Sequence, residues 1–123
     1  VKLIDVYPPV NPTDSALAGY QLMVANDVLR DRFRDSFERP TAIVPGRVDG
    51  YVVDLHTQDY RFLEGHRIMV QVQSSWFPLI DRNPQTFVPN IFAAHDTDFR
   101  AATQRIYRSS TAASYVELPV RTP

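Results

Sequence analysis

Apolar and polar residues alternate in short runs along this chain, and a period of two predicts β-strands rather than helices. Lys2-Leu3-Ile4-Asp5-Val6-Tyr7 reads as a first strand, stopped by Pro8-Pro9. Residues 8–15 (PPVNPTDS) have the composition of an exposed loop, and Gly19 to Val24 reads as a second strand. After a Pro45-Gly46 turn, Val48 to His56 repeats the pattern, with Tyr51, Val53 and Leu55 alternating with Val52 and Asp54. Residues 57–66 make a tight connection punctuated by Gly65. Arg67 to Ser75 is the clearest strand: Ile68, Val70 and Val72 share one face, while Met69, Gln71 and Gln73 share the other. Two closing strands are predicted near 101–108 and 115–120, joined by the small polar run Ser109-Ser110-Thr111-Ala112-Ala113.

One stretch departs from this period. In 26–38 (NDVLRDRFRDSFE), Val28, Leu29, Phe33 and Phe37 fall near helical spacing behind a possible Asn26 or Asp27 cap. A short helix or a set of turns is predicted there, ended by Pro40; an extended arm is the competing picture. Short strands, ten prolines and at most one helix predict an all-β fold, a jelly-roll sandwich. Five or six strand candidates against the roughly eight of a jelly roll, with a chain that opens on Val1 inside strand-like sequence, lead us to expect that the first strands are missing. No internal repeat or domain boundary interrupts residues 1–123.

Composition narrows the function classes. The chain is 44% hydrophobic with a net charge of −1, so no basic footprint for nucleic acid exists, and no apolar run approaches the ~18 residues of a membrane span. Neither nucleic acid nor membrane is expected as a partner. Lys2 is the only lysine among thirteen basic residues, and so many arginines favour fixed bidentate ion pairs. With no cysteine, disulfides, zinc-thiolate sites and cysteine nucleophiles are excluded.

The residues of a catalytic centre do not assemble from the spacing. None of Gly19, Gly46, Gly50 and Gly65 flanks a serine as a nucleophile elbow requires, and Ser74-Ser75 and Ser109-Ser110 sit at a strand end and in a linker. Of His56, His66 and His95, only His56 has a carboxylate, Asp54, on its own strand face; His95-Asp96-Thr97-Asp98 places oxygen donors suited to calcium on a loop. Surface acids and strand-end histidines account for these residues more simply. No phosphate cradle is present, so no catalytic residue, metal or cofactor is expected.

The loop from Ser74 to Pro89 holds the only tryptophan with Phe77, Leu79 and Ile80 between prolines. Apolar residues in a stiffened loop must be covered, either by the open end of the sandwich or by another domain or subunit. Trp76 and Arg82 are of the types enriched at binding hot spots.

Longer patterns carry a resemblance. Gly19-Tyr20-Gln21-Leu22-Met23-Val24 with Asp27-Val28-Leu29-Arg30, Arg32, Arg34 and Ser36, then Phe62-Leu63-Glu64-Gly65-His66-Arg67-Ile68 running into Gln73-Ser74-Ser75-Trp76-Phe77-Pro78 and Asp81-Arg82-Asn83-Pro84-Gln85-Thr86, are similar to the C-terminal domain of α-amino acid ester hydrolases. The wider group includes cocaine esterase, glutaryl 7-aminocephalosporanic acid acylases and Xaa-Pro dipeptidyl-peptidases. The resemblance runs from about Val1 to Val120. It implies a galactose-binding-like jelly roll that packs on an upstream α/β-hydrolase domain and a helical cap. The Ser-His-Asp triad would lie in that hydrolase domain, so no catalytic residue maps onto this chain.

It implies further that the parent cleaves α-amino acid esters, or passes their acyl group to a β-lactam nucleus, without a dissociable cofactor. The parent would be a homo-oligomer, periplasmic or secreted. Trp76, Phe77, Pro78, Arg82 and Asn83 are the candidate interface with the catalytic domain. The alternative is an independent carbohydrate-binding module, with Trp76, Tyr51 and Tyr60 as stacking platforms.

Overall fold

The computed structural model describes residues 1–121. Its ordered centre is one antiparallel sheet of three strands in the order β2-β1-β3, with β1 at Lys2–Val6, β2 at Gln21–Asn26 and β3 at Arg67–Gln71. β1 takes the middle because it alone is apolar on both faces: Leu3, Ile4 and Val6 are buried, and Asp5 is buried with them. Its partners keep clean registers, Leu3 opposite Ala25 and Val70, and Asp5 opposite Leu22 and Ile68. A bulge interrupts the β1–β2 ladder where Leu3 and Ile4 face Ala25 and Met23, leaving Val24 as the extra residue.

The three strands match the first, second and clearest of the predicted ones. Outside them the backbone makes turns rather than ladders. Of the short helix or set of turns predicted within 26–38, the turns form, with one 3-10 turn at Asp31–Phe33. The near-helical spacing of Val28, Leu29, Phe33 and Phe37 has no continuous apolar stripe behind it, since Phe37 is 84% exposed. Further 3-10 turns form at Ser15–Leu17, Ile91–Ala93 and Asp96–Asp98. The first and third have side-chain caps, Asp14 accepting from the Ala16 N–H and Asn90 from the Phe92 N–H.

The segments 48–56, 101–108 and 115–120, predicted as strands, join no sheet among the described residues. In 48–56 the period of two survives as burial, Val53 and Leu55 half-buried and Val52 and Asp54 exposed, so the alternation is real but unpaired. Residues 101–111 are exposed throughout, and Tyr115 and Val120 stand 77% and 82% exposed. A strand needs a neighbour to take its N–H and C=O groups, and these three have none. The only bridge there is Ser109 to Ala112, inside the predicted polar linker.

Three arginines in alternation tie irregular segments to one another. Arg30 pairs with Asp81. Arg32 donates to the Val88 carbonyl at 2.8 Å and lies 4.4 Å over the Phe87 ring. Arg34, 6% exposed, donates to the carbonyls of Asp31, Thr41 and Ala42 and faces the carboxylates of Asp35 and Asp49. One planar fork thus organises residues 31–49, a task no lysine geometry fits.

A buried carboxylate and a half-open aromatic loop

Asp5 has no exposed surface, and its carboxylate is held by two donors from a segment some sixty residues away. The Tyr60 hydroxyl donates to Oδ2 at 2.6 Å, and Nδ1 of His66 lies 2.8 Å from the same oxygen. The Tyr7 ring covers the imidazole, centroids 4.4 Å apart, and meets Tyr20 edge-on at 5.8 Å. Gly65 makes this possible. With φ +80° it turns the chain so that the His66 N–H closes on the Leu63 carbonyl at 3.1 Å and His66 lands over β1. A carboxylate removed from water needs such partners, and two charge-assisted hydrogen bonds supply them. Donating to Asp5 pushes the Tyr60 hydroxyl well above its ordinary range.

Among the described residues the ring nitrogens of His56 and His66 meet carboxylates, Asp27 and Asp5, and no serine hydroxyl. His56 turns away from its predicted partner. Its ring lies 3.1 Å from Asp27, while Asp54 accepts the His56 backbone N–H at 2.7 Å and stabilises the left-handed backbone there, φ +62°. Asp96 and Asp98 sit in the 3-10 turn after His95, with Asp98 accepting the His95 N–H at 2.9 Å. Among the described residues no three His, Asp or Glu side chains converge as a metal would need. The Asp5–His66–Tyr60 cluster escaped the sequence reading. Its one visible signal was a carboxylate at an inward position of an otherwise apolar strand.

The aromatic loop divides into anchors and outward residues. Trp76 is half-buried with the Lys2 ammonium 4.0 Å from its ring centroid, and its carbonyl accepts the Ile80 N–H at 2.9 Å around a cis Phe77-Pro78 bond. The Arg82 guanidinium stacks 4.5 Å over Phe99 and 5.9 Å from Phe77. Asn83 accepts the Gln85 N–H at 3.0 Å, and the fully buried Pro84 takes the Arg100 N–H on its carbonyl. Phe77 and Leu79, by contrast, point out at 64% and 67% exposure, with Phe87 at 51% beyond them. The loop thus divides: Trp76 and Pro84 close over the chain, while Phe77 and Leu79 form an exposed apolar front. Leu79, absent from the predicted interface set, belongs to that front.

That front is part of a larger open surface. The chain exposes 10314 Å², whereas a compact protein of 14.1 kDa exposes about 6,700 Å². The difference, about 3,600 Å², is rich in apolar side chains from residues 43–52, 68–79 and 106–120.

The chain is similar to proteins several times its size. It is 33% identical over 120 residues to the cocaine esterase of Rhodococcus sp. (strain MB1 Bresler), covering 97% of this chain and 19% of that protein. A crystal structure of an aminopeptidase from a marine sediment Thaumarchaeota archaeon superimposes with TM-score 0.86 at 50% identity, over 90% of this chain and 18% of that one. A selenomethionine-labelled α-amino acid ester hydrolase gives TM-score 0.78 at 46% identity, over 80% of this chain and 16% of that one. The chain thus spans less than a fifth of each relative. Residues 1–117 match the X-Pro dipeptidyl-peptidase C-terminal non-catalytic domain. With its antiparallel sheet and no helix beyond single turns, the chain belongs to that family, the β-rich C-terminal domain of this hydrolase group.

Proposed function

We propose that residues 1–123 work as the C-terminal jelly-roll portion of a larger serine hydrolase, packing on its catalytic and cap domains and walling the approach to the active site. The observation that carries this reading is the surface left open, about 3,600 Å² more than a compact protein of this mass exposes, with large apolar side chains such as Val52, Phe77 and Leu79 among it. Trp76, Phe77, Pro78, Arg82 and Asn83 form the docking loop, with Leu79 beside Phe77. The triad lies outside this chain. Its serine attacks the ester carbonyl of an α-amino acid ester, the alcohol leaves, and water or a β-lactam amine takes the acyl group from the acyl-serine. The protein assembles as a homo-oligomer.

A sugar platform has less support. The Tyr60 hydroxyl is committed to Asp5, its ring meets Phe62 edge-on, and Lys2 covers one face of Trp76. The test is hydrolysis of phenylglycine methyl ester by the 123-residue chain, beside the natural polypeptide that continues beyond it. Turnover by the longer protein alone is the expected result. Turnover by the short chain, abolished by a serine-directed inhibitor, overturns the reading.

A further inference from the structure

The Arg82 guanidinium is held in place without being bonded. It lies 4.5 Å over the Phe99 ring and 5.9 Å from Phe77, yet among the described residues it makes no hydrogen bond and no ion pair. Both backbones that carry this stack are fixed. On one side Asn83 accepts the Gln85 N–H and Pro84 is fully buried. On the other, the Arg100 N–H next to Phe99 donates to the Pro84 carbonyl at 2.9 Å. The carboxylates adjoining the stack in sequence are engaged elsewhere: Asp81 meets Arg30, and Asp98 accepts the His95 N–H at 2.9 Å. An aromatic contact occupies the face of a guanidinium and leaves the N–H groups at its edge to a planar acceptor. Arg82 therefore presents an oriented fork whose charge nothing nearby neutralises.

From this we infer that Arg82 receives the carboxylate of an Asp or Glu carried by the body that covers the aromatic loop. The inference rests on the proposed docking of this loop against a catalytic domain, and it names what that domain must present. Phe77 and Leu79 are 64% and 67% exposed. A protein face laid over them takes the guanidinium beside Phe77 out of water with them. Arginine cannot shed its proton to escape, as a buried lysine can. A charge removed from water is heavily penalised unless it is paired and hydrogen-bonded. A backbone carbonyl satisfies an N–H group but leaves the charge; a carboxylate takes two N–H groups in parallel and neutralises it. A small free anion would match the fork as well but would leave Phe77 and Leu79 wet. The apolar front beside the guanidinium therefore selects a carboxylate borne on a protein surface.

Thermal melting of the natural longer polypeptide and of its Arg82→Met variant, at about pH 7 and about pH 4.5, tests this. Methionine removes the charge and leaves the facing carboxyl buried alone, so its pKa rises in the folded variant; in the parent, Arg82 lowers it. A raised carboxyl opposes folding only above its unfolded value, about 4, and a lowered one stabilises only above the same value. Both make the loss larger at neutral pH. The variant is expected to melt several degrees lower at pH 7, with the loss shrinking by roughly half or more at pH 4.5. Arg82→Lys, which keeps the charge without the fork, should fall between. No loss, or equal losses at the two pH values, overturns the inference. Should Arg82→Met not fold, the crystal structure of the unaltered longer polypeptide decides. A carboxylate from outside residues 1–123 within about 3 Å of the guanidinium supports the inference; water, a free anion or carbonyls alone overturn it. The two readings fail separately. A longer protein that hydrolyses the ester with equal melting losses removes only the carboxylate partner. One with the pH-dependent loss and no hydrolysis removes only the proposed function.

Discussion

The carboxylate of Asp5 and Nδ1 of His66 lie 2.8 Å apart with 0% and 8% of their side chains exposed, so the central strand is tied to the turn that launches β3 by a hydrogen bond almost out of reach of water. Removing one partner leaves the other buried and short of a hydrogen bond, at about 1–3 kcal/mol. Asp5→Ala and His66→Ala are each expected to lower stability by about that amount in urea unfolding. The double variant should cost less than the sum of the two, because they share one interaction. Additive losses would show that the pair does not couple the strands.

The Tyr60 hydroxyl meets the same carboxylate and is raised above its usual pKa by it. A phenol raised on folding contributes stability that is complete below its unfolded value, about 10, and is lost as pH rises beyond it. Stability of the protein should therefore fall above about pH 10 through Tyr60. In Tyr60→Phe that part of the alkaline decline should vanish, at a cost near neutrality of about 1–2 kcal/mol for the lost charge-assisted bond. An unaltered alkaline limb would place the ionisation elsewhere.

What the sequence disclosed follows from where each signal is stored. Period two and proline stops are local, so β1, β2 and β3 were readable, down to the two faces of β3. Which face is covered is not local, and the apolar face of β3 proved to be the open one. Residues 48–56 read as a strand because their side chains alternate, yet a ladder requires a neighbour that residues 1–121 do not provide. The Asp5 cluster was illegible for the same reason: its donors stand 55 and 61 residues away. Arginine richness gave no such placement either: Arg47 meets Asp49 through two parallel hydrogen bonds, while Arg30 and Arg32 each make a single polar contact.

Asp31 opens the 3-10 turn half-buried, and burial raises its pKa against the opposing pull of Arg34. A carboxyl raised on folding costs nothing while protonated and opposes folding once pH climbs past its unfolded value, about 3.9. Asp31→Asn, which stays neutral, should be more stable than the parent at pH 7, by up to about 1 kcal/mol. The advantage should disappear below about pH 4, which stability curves of the two proteins at pH 3.5 and 7 would reveal.

Arg34 serves three carbonyls and two carboxylates from one guanidinium. Lysine keeps the charge but cannot place donors in that fork, so Arg34→Lys should lose about 2 kcal/mol and loosen residues 35–49 to proteolysis. Arg47→Lys is the contrast, because Arg47 pairs with Asp49 on an exposed side chain, and little change is expected there. Equal effects at the two positions would reject the organising role of Arg34.

Phe77 and Leu79 separate docking from folding within the aromatic loop. Trp76→Ala removes both a residue of the proposed docking loop and the seat of the Lys2 ammonium, so a loss there is ambiguous by itself. Lys2→Met leaves the indole in place and measures the second part alone. Phe77 and Leu79, at 64% and 67% exposure, have little to lose inside this chain beyond the distant Arg82 contact at 5.9 Å. Serine at both positions should then be nearly silent for the chain's own fold, within about 0.5 kcal/mol. If the loop packs on a catalytic domain, the same double variant in the longer natural polypeptide buries two hydroxyls in place of two apolar side chains. It should lower the melting temperature by several degrees, corresponding to about 2–4 kcal/mol, and reduce turnover of phenylglycine methyl ester. A longer polypeptide indifferent to Phe77→Ser with Leu79→Ser would mean that this front faces water, and the docking role would pass to the apolar residues of 106–120.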